Sequence, residues 1–266
     1  MTSNDLLFGQ LGKARTNIPL ATMRSCSQKT DGGQMLYKQI WEAIVWSYVI
    51  EYADFDVKKS YNSELTIEGY HQGGLGNGVI GGTDLANYNN NEKIVPNDYT
   101  LELGNNTDIK IRASRENQIS WNVPHWRGFN VFWYGDIWIN IDNILSKYDT
   151  TKQKRIWYYT DDVSKFSNDI ANKEHQIEGL GNVNENWLKE VRINNKGDIV
   201  PIKMADNANY KNSSYYRNYT DDIHTTFAGG RATDGSLCGL LSLSATNGAG
   251  HAWSYGGFAK VTILDN

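Results

Sequence analysis

Only one stretch of this chain carries a long helical period, and that limits what the remainder can build. Within 34–52, Leu36, Ile40, Ile44 and Tyr48 recur every four positions, and Trp41, Val45, Val49 and Tyr52 widen the stripe. Lys38, Gln39, Glu42 and Ser47 fall mostly on the other faces. This spacing predicts an amphipathic helix docked on a core. Asp31-Gly32-Gly33 breaks the chain before it, and Asp54 and Asp56 follow its end. Elsewhere the apolar runs are short. The 266 residues include 29 Asn and 25 Gly but only 4 Pro, a composition that favours turns and polar loops over further long helices.

Short strands are expected at 108–113, 156–159, 190–193, 199–204 and 258–264. In the last of these Ala259, Val261 and Ile263 share one face and Lys260 and Thr262 the other. In 239–245, Leu241 and Leu243 are expected to point inward and Ser242 and Ser244 outward, and Trp253 and Tyr255 share a parity further on. The aromatic segment 123–144 reads as core, with Trp138, Ile141 and Ile144 beside Ile137 forming a buried stripe. Residues 1–33 read as a mostly irregular lead-in, with a short extended piece at 14–20, where Pro19 biases Ile18 away from helix. A 30.1 kDa chain can bury a sizeable core, and no internal repeat or Pro-rich linker divides it. The organisation expected is therefore a lead-in at 1–33 and one domain at 34–266.

Several chemistries lack their residues. The glycines at 73–78 are followed by no Lys, and neither a hydrophobic strand nor a helix flanks them, so a nucleotide cradle is unsupported. The five histidines form no metal-binding spacing, and Asp221-Asp222-Ile223-His224 reads as a solvated loop in preference to a cation site. No Gly-x-Ser-x-Gly elbow or Cys–His pair is present, and the carboxylates are scattered. Cys26 and Cys238 lie outside any Cys-x-x-Cys pair; two buried thiols are favoured over one disulfide, which stays open. A net charge of −4 gives no electrostatic case for nucleic acid. No apolar run has the roughly 18 residues of a membrane span, and the amino end has no signal-type pattern. No cofactor, metal or membrane insertion is expected.

The segment at 135–142, Gly-Asp-Ile-Trp-Ile-Asn-Ile-Asp, resembles the Gly-Asn-Val-Trp-Glu-Trp-Val signature of the sulfatase-modifying-factor branch of the C-type-lectin fold. Residues 227–230, 238–240 and 256–258 are similar to the ending of that branch, although Phe258 or Lys260 stands where Arg is usual. Four further segments, 15–24 (Arg-Thr-Asn-Ile-Pro-Leu-Ala-Thr-Met-Arg), 48–53, 69–79 and 123–129, resemble in order a group of phage and prophage proteins of gut bacteria. The likeness spans about residues 8–258. It implies an α+β, C-type-lectin-like fold with short twisted antiparallel strands, one or two helices and long ordered loops.

The same resemblance implies a virion protein made in the bacterial cytoplasm: a non-enzymatic receptor-binding module of a tail or fibre. Some of the family are diversified by retroelements. An alternative is a structural component, a capsid decoration or head-fibre protein. The implied partners are a host-surface protein or glycan, other virion proteins and, by analogy, two further copies in a homotrimer. A display segment at about 206–257 would present Arg231, Thr233, Asp234, Ser236, Leu237, Ser242, Ser244, His251, Trp253, Ser254 and Tyr255, with Tyr216 and Asn218 at its border. Leu237 and Trp253 could equally be buried. Tyr, Trp, Ser, Asn and Gly, abundant there, give contact area and adaptable hydrogen bonds at little entropic cost. Cys238 has no neighbouring cysteine, unlike the copper oxidases of this fold, and the Glu-Pro-Asn or Gln-Pro-Asp triplets of calcium-dependent lectins are missing.

Overall fold

The computed structural model describes residues 18–29, 32–56, 93–98, 112–113, 118–122, 125–126, 129–130, 138–181, 185–205, 215–218, 223–230, 239–252, 256–257 and 260–262. Among the described residues the expected α+β class holds at the level of mostly antiparallel strands with two α-helices. In chain order these are α1 (Leu20–Ser27), β1 (Gly33–Met35), α2 (Lys38–Tyr52), β2 (Lys93–Asp98), β3 (Arg112–Ala113), β4 (Gln118–Asn122), β5 (His125–Trp126), β6 (Phe129–Asn130) and β7 (Trp138–Asp149). There follow β8 (Lys154–Tyr159), β9 (His175–Gly181), β10 (Glu185–Ile193), β11 (Ile199–Met204), β12 (Tyr215–Asn218), β13 (His224–Gly229), β14 (Gly239–Ala245), β15 (Gly256–Gly257) and β16 (Lys260–Thr262).

The main sheet runs β11-β10-β12-β14-β13-β7-β8-β9, with β15 added on β7. The β12–β14 and β15–β7 pairs are parallel and the others antiparallel. Its end strands β9 and β11 approach within 8 Å between Cα atoms, so the sheet curls most of the way round. Trp41, Ile44, Val45 and Tyr48 of α2 enter this trough and pack with Ile141, Trp157, Ile177, Leu188, Ile199 and Leu243. Full burial of such side chains stabilises by about 1.5–3 kcal/mol each. Smaller sheets pair β1 with β16, β2 and β3 with β4, and β5 with β6.

The helical stripe is thus borne out, but the helix starts at Lys38, because Gly33–Met35 is drawn into the pair with β16. Residues 199–204 form a strand as expected, while those at 156–159 and 190–193 lie within the longer β8 and β10. The lead-in differs from expectation. Leu20 to Ser27 is helical, and Leu20 and Met23 pack with Met35 and Leu145 in a second cluster. Pro19 serves as its N-cap in extended backbone, the geometry that a proline starting a helix accepts.

Strand β7 organises the middle of the molecule. Its first nine residues are all buried. Against β13 its register jumps: Thr226 pairs with Ile141 but Thr225 with Leu145, so Asp142-Asn143-Ile144 bulge out of the ladder. Asn143 adopts φ +59°, a left-handed value that asparagine tolerates better than most residues. The bulge aims two side chains at the two helices. Asp142 receives Arg24 from α1 through Nε at 2.9 and 3.0 Å and Nη2 at 2.6 Å. Asn143 Oδ1 accepts the Lys38 backbone N–H at 2.9 Å and so caps α2, whose own N-cap residue Tyr37 makes no side-chain cap.

Candidate functional site

The residues expected to display a ligand surface lie on, or are framed by, β12, β13, β14 and β15. β14 is internal to the sheet, parallel to β12 on one side and antiparallel to β13 on the other. Ser242 and Ser244 are 0% and 1% exposed. Their expected outward display is therefore corrected. The alternation in 239–245 suggests one wet face, but all seven residues are buried, as happens where a strand is covered on both faces. Ser244 Oγ shares a hydrogen bond with Thr246 Oγ1 at 3.1 Å. His251 is exposed, as a display residue must be. Tyr216 and Asn218 sit on β12 opposite Leu243 and Ala245. Their side chains lie outside the described residues, as do Arg231, Thr233, Asp234, Ser236, Leu237, Trp253, Ser254 and Tyr255.

The flanks of those residues are well defined. Gly229 pairs with Gly239, so the chain leaves β13 and re-enters β14 at one place. Gly229 and Gly230 take φ +98° and +104°, values that L side chains rarely adopt, which is why two glycines end β13. Ala228 pairs with Ile139, and on β7 Trp138 and Ile139 pair with Gly256 and Gly257. The points entering and leaving 231–238, and the point where 253–255 rejoins the sheet, therefore converge on one end. A Cβ on Gly256 would come within 2.7 Å of Phe227 Cε1, so the join is tight.

His251 belongs to the other end. Gly248 bridges His224, the Thr225 N–H donates to Asn247 O at 2.9 Å, the Ala249 N–H donates to Ile223 O at 3.1 Å, and the His251 N–H donates to Gly248 O at 2.9 Å. Along β14 the two ends are about 20 Å apart by strand rise. The sequence reading grouped His251 with Trp253 and Tyr255. Only five residues lead from His251 to Gly256, where the chain rejoins the sheet at the first end, so His251 stays close to Trp253 along the chain.

A buried polar cluster, unforeseen from the sequence, anchors α2 in the trough. Lys38 and Glu42 were expected on other faces of the helix, yet they are 2% and 7% exposed. Lys38 Nζ donates to Glu42 Oε2 at 2.6 Å and to Asp198 Oδ1, and lies 4.1 Å from the centre of the Tyr159 ring. Glu42 Oε1 accepts the Ile199 N–H at 2.9 Å, and Asp198 Oδ2 accepts Asn194 Nδ2 at 2.7 Å. Burial pushes the Glu42 carboxyl above its ordinary range, with Lys38 opposing. Burial also presses Asp198 upward, but hydrogen bonds from Lys38, Asn194 and Tyr159 outweigh it and hold Asp198 low. Burial, then the hydrogen bond to Asp198, raises the Tyr159 phenol well above its usual value. Both carboxylates thus have every oxygen occupied. The Lys–Glu spacing of four was the available signal, but an i,i+4 pair on a helix normally marks a solvated face.

At the rim, His175 Nε2 lies 3.0 Å from Asp161 and Nδ1 lies 2.8 Å from Lys196 Nζ, joining β9 to the β10–β11 turn. His224, read as part of an acid/His loop, is instead buried in β13 with Nδ1 bonded to Ala245 O; Asp221 and Asp222 are outside the described residues. The Gly-rich run at 73–78 is outside them too. Among the described residues no three potential ligands cluster to hold a metal ion, and no helix is long and apolar enough to cross a membrane.

Fold and site together define an α+β protein in which a curled mixed sheet, filled by one helix, gathers the ends of its carboxy-terminal loops. No family model matches the sequence, and no curated protein matches it.

Proposed function

We propose that the chain is a non-enzymatic receptor-binding module of a phage tail or fibre, built on a C-type-lectin-like fold and belonging to the group whose members retroelements can diversify. The observation that carries this reading is the convergence of Gly229, Gly239, Trp138 and Gly256 at one end of a rigid sheet. Such an end can present variable side chains from 231–237 and 253–255 while the core beneath stays unchanged. The occupied carboxylates under α2 fit a scaffold role better than acid–base chemistry. Arg231, Thr233, Asp234, Ser236, Leu237, Trp253, Ser254 and Tyr255 remain the proposed contacts. His251, exposed and two residues before Trp253, stays with them as a proposed contact, and the buried Ser242 and Ser244 leave the set. Weak single contacts to a host-surface protein or glycan would gain avidity from a trimer on a virion.

Replacing Trp253 and Tyr255 together by Ala is expected to abolish adsorption to host cells with an unchanged circular-dichroism melt. Undiminished adsorption by a folded variant would overturn the reading. If labelling of intact particles then found the chain enclosed by other virion proteins, the structural alternative would replace it.

A further inference from the structure

Beneath α2 the interior contains a small cavity whose walls include Trp41, Glu42, Trp157, Ile199, Thr226 and Leu243. It offers about 20 Å³ to the centre of a water-sized sphere. One water needs roughly 10–15 Å³ measured in this way, and an organic ligand several times more. Most of the wall is hydrocarbon, but two polar atoms on lining residues have no hydrogen-bond partner: Trp41 Nε1 and Thr226 Oγ1. These residues are 5% and 3% exposed, so bulk solvent does not satisfy them. Thr226 stands where the β7 bulge interrupts the ladder with β13.

The chemistry of the three polar groups is complementary to a single small donor–acceptor. The indole N–H can only donate, the threonine hydroxyl can do either, and a Glu42 oxygen already holding one hydrogen bond keeps a further lone pair. We infer that this cavity is a specific binding site for one ordered water, which accepts from Trp41 Nε1 and bonds Thr226 Oγ1. The water links the long helix to β13, the strand whose far end opens the display region. The site resolves two buried polar groups that apolar neighbours cannot serve. It does not depend on what the molecule recognises.

The test is a crystal structure of the full chain at better than about 2 Å, with Thr226→Val and Thr226→Ser solved alongside. Expected is a solvent peak within about 3.2 Å of both Trp41 Nε1 and Thr226 Oγ1 in the wild type. It should be retained in Thr226→Ser and lost or displaced in Thr226→Val, which has nearly the same shape. A well-ordered cavity without that peak would overturn the inference. So would a direct hydrogen bond between the two side chains, or a peak unmoved in Thr226→Val. Should the valine variant fail to fold, the wild-type map decides alone.

Discussion

The two ends of the β13–β14 pair are built differently. At the His224–Ala245 end, hydrogen bonds from Thr225 N–H to Asn247 and from Ala249 N–H to Ile223 stitch the next turn to the sheet, and His224 is buried with its ring bonded to Ala245. At the Gly229–Gly239 end the ladder closes on two glycines in left-handed backbone, and the chain departs. The stitched end belongs with the ionic anchors, Lys38–Asp198 and Arg24–Asp142, in fixing one arrangement of helices on sheet. Binding surfaces tend to be loops carried on a rigid scaffold, and on the proposed reading the two ends divide that labour. Substitutions of the buried ionic anchors should move stability, whereas on the proposed reading exposed side chains of the carboxy-terminal loops should move recognition.

The largest expected effect lies among the anchors. Lys38→Met strands two buried carboxylates and should cost about 3–5 kcal/mol in urea unfolding. A loss below about 1 kcal/mol would mean that the cluster does not hold α2. Lys173 tests the same side by pH. Its Nζ is buried without a partner beside the Arg24–Asp142 pair, and burial pushes it down to about 8. In the unfolded chain a lysine titrates near 10.4, so between these values the unfolded state binds more protons and stability should rise with pH, by up to about 1.4 kcal/mol per pH unit. Subtracting a Lys173→Met series isolates this term. The variant should be the more stable at pH 7 and should lack the slope; parallel pH curves would contradict the assignment.

At the open end, Gly229→Ala puts a side chain at φ +98° and should cost about 1–2 kcal/mol. On the proposed reading, the variant that still folds should lose whatever share of adsorption residues 231–237 supply. Competition with single-site binding variants would show this. The smallest expected effect is that of His251→Ala: within about 0.5 kcal/mol in stability, because the side chain is exposed, with at most a partial loss of adsorption. A large stability loss would place His251 with the anchors instead.

Local patterns made part of this legible. The four-residue recurrence of Ile40, Ile44 and Tyr48 is a property of the helix itself, and β-branched runs such as Ile199-Val200 mark strands without knowledge of a partner. The glycine pairs at 229–230 and 256–257 entered the sequence reading only through a resemblance, and the structure gives them their backbone role: positive φ at 229 and 230, and close approach to Phe227 at 256. What stayed hidden depends on neighbours distant in sequence. The burial of Ser242 and Ser244 follows from what covers both faces of β14, and the burial of Lys38 follows from Asp198, 160 residues away. α1 was obscured because its short apolar face closes against residues distant in sequence, such as Leu145, Ile170 and Ile223. The sequence by itself determined where α2 would form and which face would seek a core, since periodicity is a local matter of bond geometry. Only the tertiary structure decided which polar residues go inside and which loop ends meet, because an ion pair's worth and a strand's covered faces depend on what the folded chain places around them.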